Sequence, residues 1–287
     1  MGDAVTSRLI DVWNAETFDP ELTTFLNRHS DLAFGYYETD RQIFLTHDRG
    51  RGSNRSTLRP QNSHAPAFIV LKEEVCEHMR RRTIRAWHYA RLTDTEVEIM
   101  LRDGIHLSTP VTLRTRLDAL VTSGQLAKMV ADALYSKSPF HSDQRKSTSS
   151  KFWMTSHPIT IDDGGIQPLI THWGGEAASM WTKDPTLLGP LAAIGKSRIV
   201  ELAVPMAITE HPYSAGEAVI ATFGRTLGCI PSKHDFDLYA TSAMQSDAVL
   251  KIHTEGDTVF ETVGRTYPLG FVDIDVGRWK ELTGEDD

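Results

Sequence analysis

Cysteine is scarce in this chain of 287 residues: only Cys76 and Cys229 occur, far apart and in no CxxC pattern. That excludes a disulfide scaffold and gives no half of a zinc site, so each is expected to be a buried apolar thiol. Long apolar runs are missing as well. None approaches the roughly 18 residues of a membrane span, and the opening MGDAVTSRLIDVW has neither the basic start nor the apolar core of a signal peptide. A cytoplasmic protein without a membrane partner is expected. There is no GxxxxGK[ST], no GxGxxG after a strand, no GxSxG, no HExxH and no EF-hand loop, which moves P-loop, Rossmann, kinase, hydrolase-elbow and zincin readings down the list. No repeat or low-complexity tract is evident.

What is present is an ordinary folding composition, 40% apolar and 24% charged with a net charge of −8, long enough for one large domain or two small ones. The charge is uneven. Residues 41–91 hold ten arginines and one lysine against four carboxylates, a net +7, so the remaining residues sum to −15. One basic cluster, Arg49, Arg51, Arg55 and Arg59, is spaced by Gly, Ser and Asn; the other is the run Arg80, Arg81, Arg82 and Arg85. Guanidinium forks on loop-like backbone suit the phosphates of a polyanion. A solvated surface with local carboxylate partners is the equal alternative.

The first 40 residues read as short helices, with Leu9, Ile10, Val12 and Trp13 as one apolar stripe. Ala67–Leu71 reads as a buried strand, Lys72–Arg82 as a helix, and Ile84–Leu92 as a second strand. Thr93 and Glu96 form a T-x-x-E capping box for a helix that Gly104 stops. Further helices are expected from Thr109-Pro110 to Gly124 and over Leu126–Tyr135, and strands at 151–155, 198–205, 236–241, 249–253 and 270–274, with a polar loop at 142–150. Helices early and strands late, without βαβ alternation, favour an α+β fold.

The segment Ile84-Arg85-Ala86-Trp87-His88-Tyr89-Ala90-Arg91-Leu92-Thr93 delivers a His-Tyr pair on a strand just before a capped helix. Lys151-Phe152-Trp153-Met154-Thr155-Ser156 follows as a strand with aromatics and small hydroxyl residues, and Gly216-Glu217-Ala218-Val219-Ile220 comes late with a glutamate at its head. In this order the three resemble the motifs of the ADP-ribosyltransferase superfamily, His-Tyr-Glu branch, over residues 84–275. Trp153 stands where that family usually has Tyr, and Ala90 where Thr, Ser or Gly is more usual. The resemblance implies a split β-sheet catalytic domain at 84–287 behind an N-terminal helical and basic region at 1–83. It also implies NAD as co-substrate, bound by His88, Tyr89, Ala90, Trp153 and Thr155, with His88, Trp153 and Glu217 as the catalytic set.

Cleavage of the nicotinamide–ribose bond passes through an oxocarbenium-like state that a carboxylate stabilises, while a neutral His suits ribose hydroxyls and an aromatic face suits nicotinamide. Ser214 to Glu217 is also a capping box, which leaves Glu255 and Glu176 as rival carboxylates. Ser147-Thr148-Ser149 resembles the Ser-Thr-Ser motif of the superfamily's toxin-like branch, or is plain loop. The Gly pair in Thr171-His172-Trp173-Gly174-Gly175-Glu176 allows close backbone approach, to line a pocket or to pack a turn. The implied activity is mono-ADP-ribosylation of a macromolecular acceptor, nucleic acid or protein, with Arg49, Arg51, Arg55 and Arg59 as acceptor contacts and a toxin or defence role compatible. Two other classes stay open. One is a metal-dependent hydrolase built from scattered residues such as His157, His172, His211, His234, His253, Asp162, Asp163 and Asp235; the other is a non-enzymatic nucleic-acid-binding protein using residues 49–91.

Overall fold

The computed structural model describes residues 8–44, 47, 58–143, 145–232 and 234–265. Three helices open the chain, α1 (Pro20–Arg28), α2 (Ser30–Ile43) and α3 (Ala65–Arg80), followed by β1 (Thr83–Leu92). Then come α4 (Asp94–Asp103), α5 (Pro110–Thr122), α6 (Lys128–Lys137), the short α7 (Arg145–Thr148), β2 (Phe152–Thr155), α8 (Gln167–Thr171) and α9 (Pro185–Ala192). The last part is β3 (Lys196–Pro205), α10 (Pro212–Thr226), β4 (Asp237–Ala240), β5 (Val249–Thr254) and α11 (Thr258–Thr262). The strands form one antiparallel sheet in the order β4-β2-β1-β3-β5. Mixed helix and antiparallel sheet is the α+β class expected.

Alternation along β1 divides two cores. Ile84 and Ala86 join the larger one, with Leu22, Leu26, Leu71, Val75, Val200, Leu202, Val204 and Val219; Trp87 and Tyr89 face the other side, against Ile166, Ile170, Ile199 and Phe260. A third cluster is built of helices and turns, uniting Leu113, Leu117 and Leu120 of α5 with Leu134 of α6, Leu191 of α9 and Trp173. The expected boundary at 83/84 falls inside the larger core. Ile10 donates its N–H to Thr83 O at 3.0 Å and accepts from Arg85 N–H at 2.8 Å, and Thr222 Oγ1 on α10 donates to Val12 O. The N-terminal stripe is therefore bridged to β1 instead of helical.

Two other expectations are corrected. Residues 67–71 are helical: Pro66 sits in the first turn of α3, and Phe68, Leu71, Val75 and Met79 form its buried face while Ile69 and Val70 are half exposed. The β-branched pair suggested a strand, but the helical spacing of the larger side chains decided the packing. Residues 216–220 do not begin a strand. They lie in α10, which starts at Pro212, so Ser214 and Glu217 are already helical and no capping box forms there. The Thr93–Glu96 box does form, and Gly104 closes α4 at φ 86°. A Cβ on Gly104 would lie 2.1 Å from Met244 O, so glycine is required by space as well as by φ. The expected strand at 270–274 lies outside the described residues.

Candidate active site

β1 has an unbroken ladder with β3, ten pairs from Thr83↔Pro205 to Leu92↔Lys196, but meets β2 at the single pair Trp87↔Thr155. The two strands part because their other ends have different partners. Ile10 bridges the first half of β1, while the approach to β2 is held by Ser108, whose N–H donates to Lys151 O at 2.9 Å and whose carbonyl accepts from Ser150 N–H at 2.7 Å. Ser150 reaches that bond with φ 60°, a left-handed conformation uncommon for serine. Where the strands part, a cleft of about 740 Å³ opens, within the range of small-molecule sites. Residues 87–92, α4, α5, β2, the 174–177 turn and Asp237 line it.

His88 stands at the point of parting. Its Nδ1 lies 2.8 Å from Trp153 O. A carbonyl only accepts, so Nδ1 carries the hydrogen and Nε2 is left as an acceptor. The ring packs on Phe152 at 4.4 Å between centroids. Part of it stays open to the cleft, yet the site is deep enough that burial pulls its pKa down to about 4, the carbonyl bond opposing and the Arg116 charge assisting.

The other residues of the expected NAD set are placed as follows. Ala90 lines the cleft beside His88. Tyr89 faces the opposite side of β1, and its hydroxyl donates to Ile159 O at 2.9 Å while accepting from Ile159 N–H at 2.6 Å. That hydroxyl braces the 159–170 segment against the sheet. Thr155 Oγ1 donates to His157 O at 2.7 Å. Trp153 lines the cleft from the far side of β2, edge-on to Tyr239 at 4.7 Å with the Lys151 ammonium above both rings. The ring that packs on His88 is Phe152, a residue outside the expected NAD set.

The four carboxylates separate cleanly. Glu217 is outside the cleft, on α10, with its Oε1 3.1 Å from Lys72 Nζ. Glu255 follows β5, accepts from Ser197 Oγ at 2.8 Å and lies 3.6 Å from Arg91; against partial burial, these hold its carboxyl below the usual range. Glu176 lines the cleft as an exposed residue, and partial desolvation of its carboxyl together with the charge of Asp237 raises its pKa. Asp237, which sequence reasoning passed over, is the first residue of β4, pairs across to Thr155 and lines the same cleft as an exposed residue; partial desolvation and the charge of Asp235 raise its pKa. The strand expected over 236–241 contained the signal: a carboxylate at its head.

On the helical wall, Glu96 is the common acceptor for the Thr93 N–H at 2.8 Å, Arg116 Nε at 2.7 Å and Trp173 Nε1 at 2.9 Å. The Arg116 charge and these bonds hold it ionised against strong burial. Arg116 lines the cleft and lies 4.6 Å over the Trp173 ring, joining α4, α5 and the 173–176 turn. The Gly pair serves both expected roles, since a Cβ on Gly174 would meet that of Ala178 at 2.8 Å and both glycines line the cleft. Thr148 lines it too.

The basic run has local partners. Arg82 is buried and donates to Asp19 at 2.7 Å and Glu21 at 3.2 Å, Arg80 pairs with Glu77, and Arg85 lies 3.9 Å from Glu201. Arg59 pairs with Asp40 at 3.4 Å, away from the cleft lining. Arg49, Arg51 and Arg55 lie outside the described residues. Among the described residues no group of three or more His, Cys, Asp or Glu is placed to hold a metal ion, and no helix is long and apolar enough to cross a membrane. No protein-family model matches the chain, and neither the curated proteins nor the solved structures contain a match to it.

Proposed function

We propose that this chain is an NAD-dependent mono-ADP-ribosyltransferase with a split-sheet core, acting on a macromolecular acceptor, nucleic acid or protein. The observation that carries the reading is the meeting of three features in one cleft: His88 where β1 and β2 part, aromatic rings on β2, and Asp237 at the head of the late strand beside β2. The resemblance asks for a carboxylate at the start of a late strand, and β4 supplies an aspartate in that place. Asp237 therefore takes the role first given to Glu217.

The chemistry follows from the protonation states. Neutral His88 offers Nε2 as an acceptor, which fits a ribose hydroxyl and disfavours a phosphate oxygen in that position. Phe152 beside His88 and Trp153 across β2 present apolar faces to flat rings. As the nicotinamide bond stretches, positive charge grows on the ribose, and an ionised Asp237 gains strength in that state more than in the ground state.

The test is incubation with NAD labelled in the adenine, following nicotinamide release and label on DNA, RNA and protein. Release with label on one acceptor class supports the reading and names the class. Absence of both nicotinamide release and NAD binding overturns it.

A further inference from the structure

The cleft holds a second carboxylate that the reading above leaves without a role. Glu176 stands in the 175–177 turn, after Gly174 and Gly175 at φ 97° and 42°. The turn is fixed: Ala177 and Ala178 pack into the helical cluster, and the Glu176 carbonyl accepts from Trp181 Nε1. The Glu176 side chain itself makes no hydrogen bond among the described residues, and it comes from the helical wall while Asp237 comes from the sheet.

Proton balance divides their work. When the bond between C1′ of the ribose and the pyridinium nitrogen breaks, its electron pair stays on that nitrogen and nicotinamide leaves neutral, so departure needs no acid. The proton appears on the other side. An acceptor X–H gives a lone pair to C1′, the C1′–X bond forms, and X carries a positive charge until its hydrogen leaves. A base is needed at the attacking side, and a carboxylate whose pKa is lifted toward working pH is better suited than an ordinary one. Asp237 is lifted as well as Glu176, so it is position, with Asp237 committed to the ribose, that leaves Glu176 for the proton. Asp237, given the ribose in the transferase reading, must stay ionised to stabilise it.

We infer that Glu176 is the base that takes the proton from the incoming acceptor, which therefore presents an X–H nucleophile, a hydroxyl or a hydrogen-bearing nitrogen, from the side of the 175–177 turn. This rests on the transferase reading.

Azide separates the two roles, because it attacks C1′ without a proton to lose. Glu176→Gln should keep its fold and NAD affinity, lose label transfer by about 10²-fold, and regain nicotinamide release with azide, with ADP-ribosyl azide as the product by mass spectrometry. Asp237→Asn should be slow with or without azide. A Glu176→Gln protein that transfers label at the wild-type rate, or one that azide does not rescue, overturns the assignment while wild-type nicotinamide release preserves the transferase reading. A wild-type protein inert toward NAD overturns both.

Discussion

β1 is flanked by two different neighbours. Toward β3 it is closed by ten consecutive pairs, and β3 answers with Ile199, Val200, Leu202 and Val204, all fully buried. Toward β2 it has one pair, and beyond it a histidine side chain, instead of a backbone N–H, reaches the carbonyl of Trp153. A completed ladder satisfies its polar groups internally and offers a ligand nothing. An interrupted one leaves backbone and side-chain groups facing a cavity, and residues there are selected for what they can hold. Stability should therefore concentrate on the β3 flank and activity on the β2 flank.

The sharpest way to break this division is at Asp237. Asn keeps the size and the place at the head of β4 but cannot carry charge, so Asp237→Asn should lower NAD turnover by about 10²-fold or more with the fold intact. Nicotinamide release checked beside a thermal melt decides it. Unchanged turnover would remove the carboxylate from the proposed chemistry.

The closed flank predicts the reverse outcome. Leu202 is fully buried in the larger core, and Leu202→Ala removes its packing and leaves a cavity, a loss of about 2–5 kcal/mol. Urea unfolding should show that loss, while NAD affinity measured well below the transition stays near wild type. A variant that loses affinity without losing stability would show that the ladder does not insulate the two flanks.

These flanks were unequally legible in the sequence. The apolar run 198–205, the strand around His88 and the Thr93–Glu96 box could be read because each is a local pattern. The parting of β1 from β2 could not. It depends on Ile10 and Ser108 taking the positions a longer β2 would have occupied, which no spacing near residue 88 or 153 reveals. The misread residues share that cause. Ala67–Leu71 has strand-like composition, but which side chains are buried is decided by α10 packing on α3.

Titration gives a gentler test at the two ends of the open flank. An unfolded histidine has a pKa of about 6.5, whereas folded His88 is pulled down to about 4. The unfolded chain binds more protons between these values, so the stability linked to neutral His88 is present above about 6.5 and lost as pH falls toward 4. NAD binding through Nε2 should likewise be flat from neutrality to mildly acid pH, without a midpoint near 6.5. Asp11, next to the Ile10 bridge, has the opposite sign: burial lifts it from 3.8 to about 6, the Trp13 N–H bond opposing. Its favourable contribution is present below 3.8 and lost as pH rises through about 6. Asp11→Asn should therefore gain on wild type as pH rises from 4 to 8 in unfolding experiments, and a gap that stays constant would refute the shift.

The smallest effect is expected where sequence reasoning placed the largest. Glu217 opened the best late motif by order and spacing, yet it lies inside α10, reaches Lys72 across the α3–α10 contact, and takes no part in the cleft lining. Both partners of that ion pair are partly exposed, at 20% and 25% of their side-chain surface. Solvent screens such a pair and ordering two long side chains opposes it, so its loss is worth at most about 1 kcal/mol. Glu217→Gln keeps an oxygen to accept from Lys72 and changes neither the β1–β2 gap nor Asp237. Turnover should match wild type, with a melting shift of a few degrees or less. A turnover loss comparable to that of Asp237→Asn would place the chemistry at α10 instead of the cleft, and the contrast between the two flanks of β1 would lose its functional meaning.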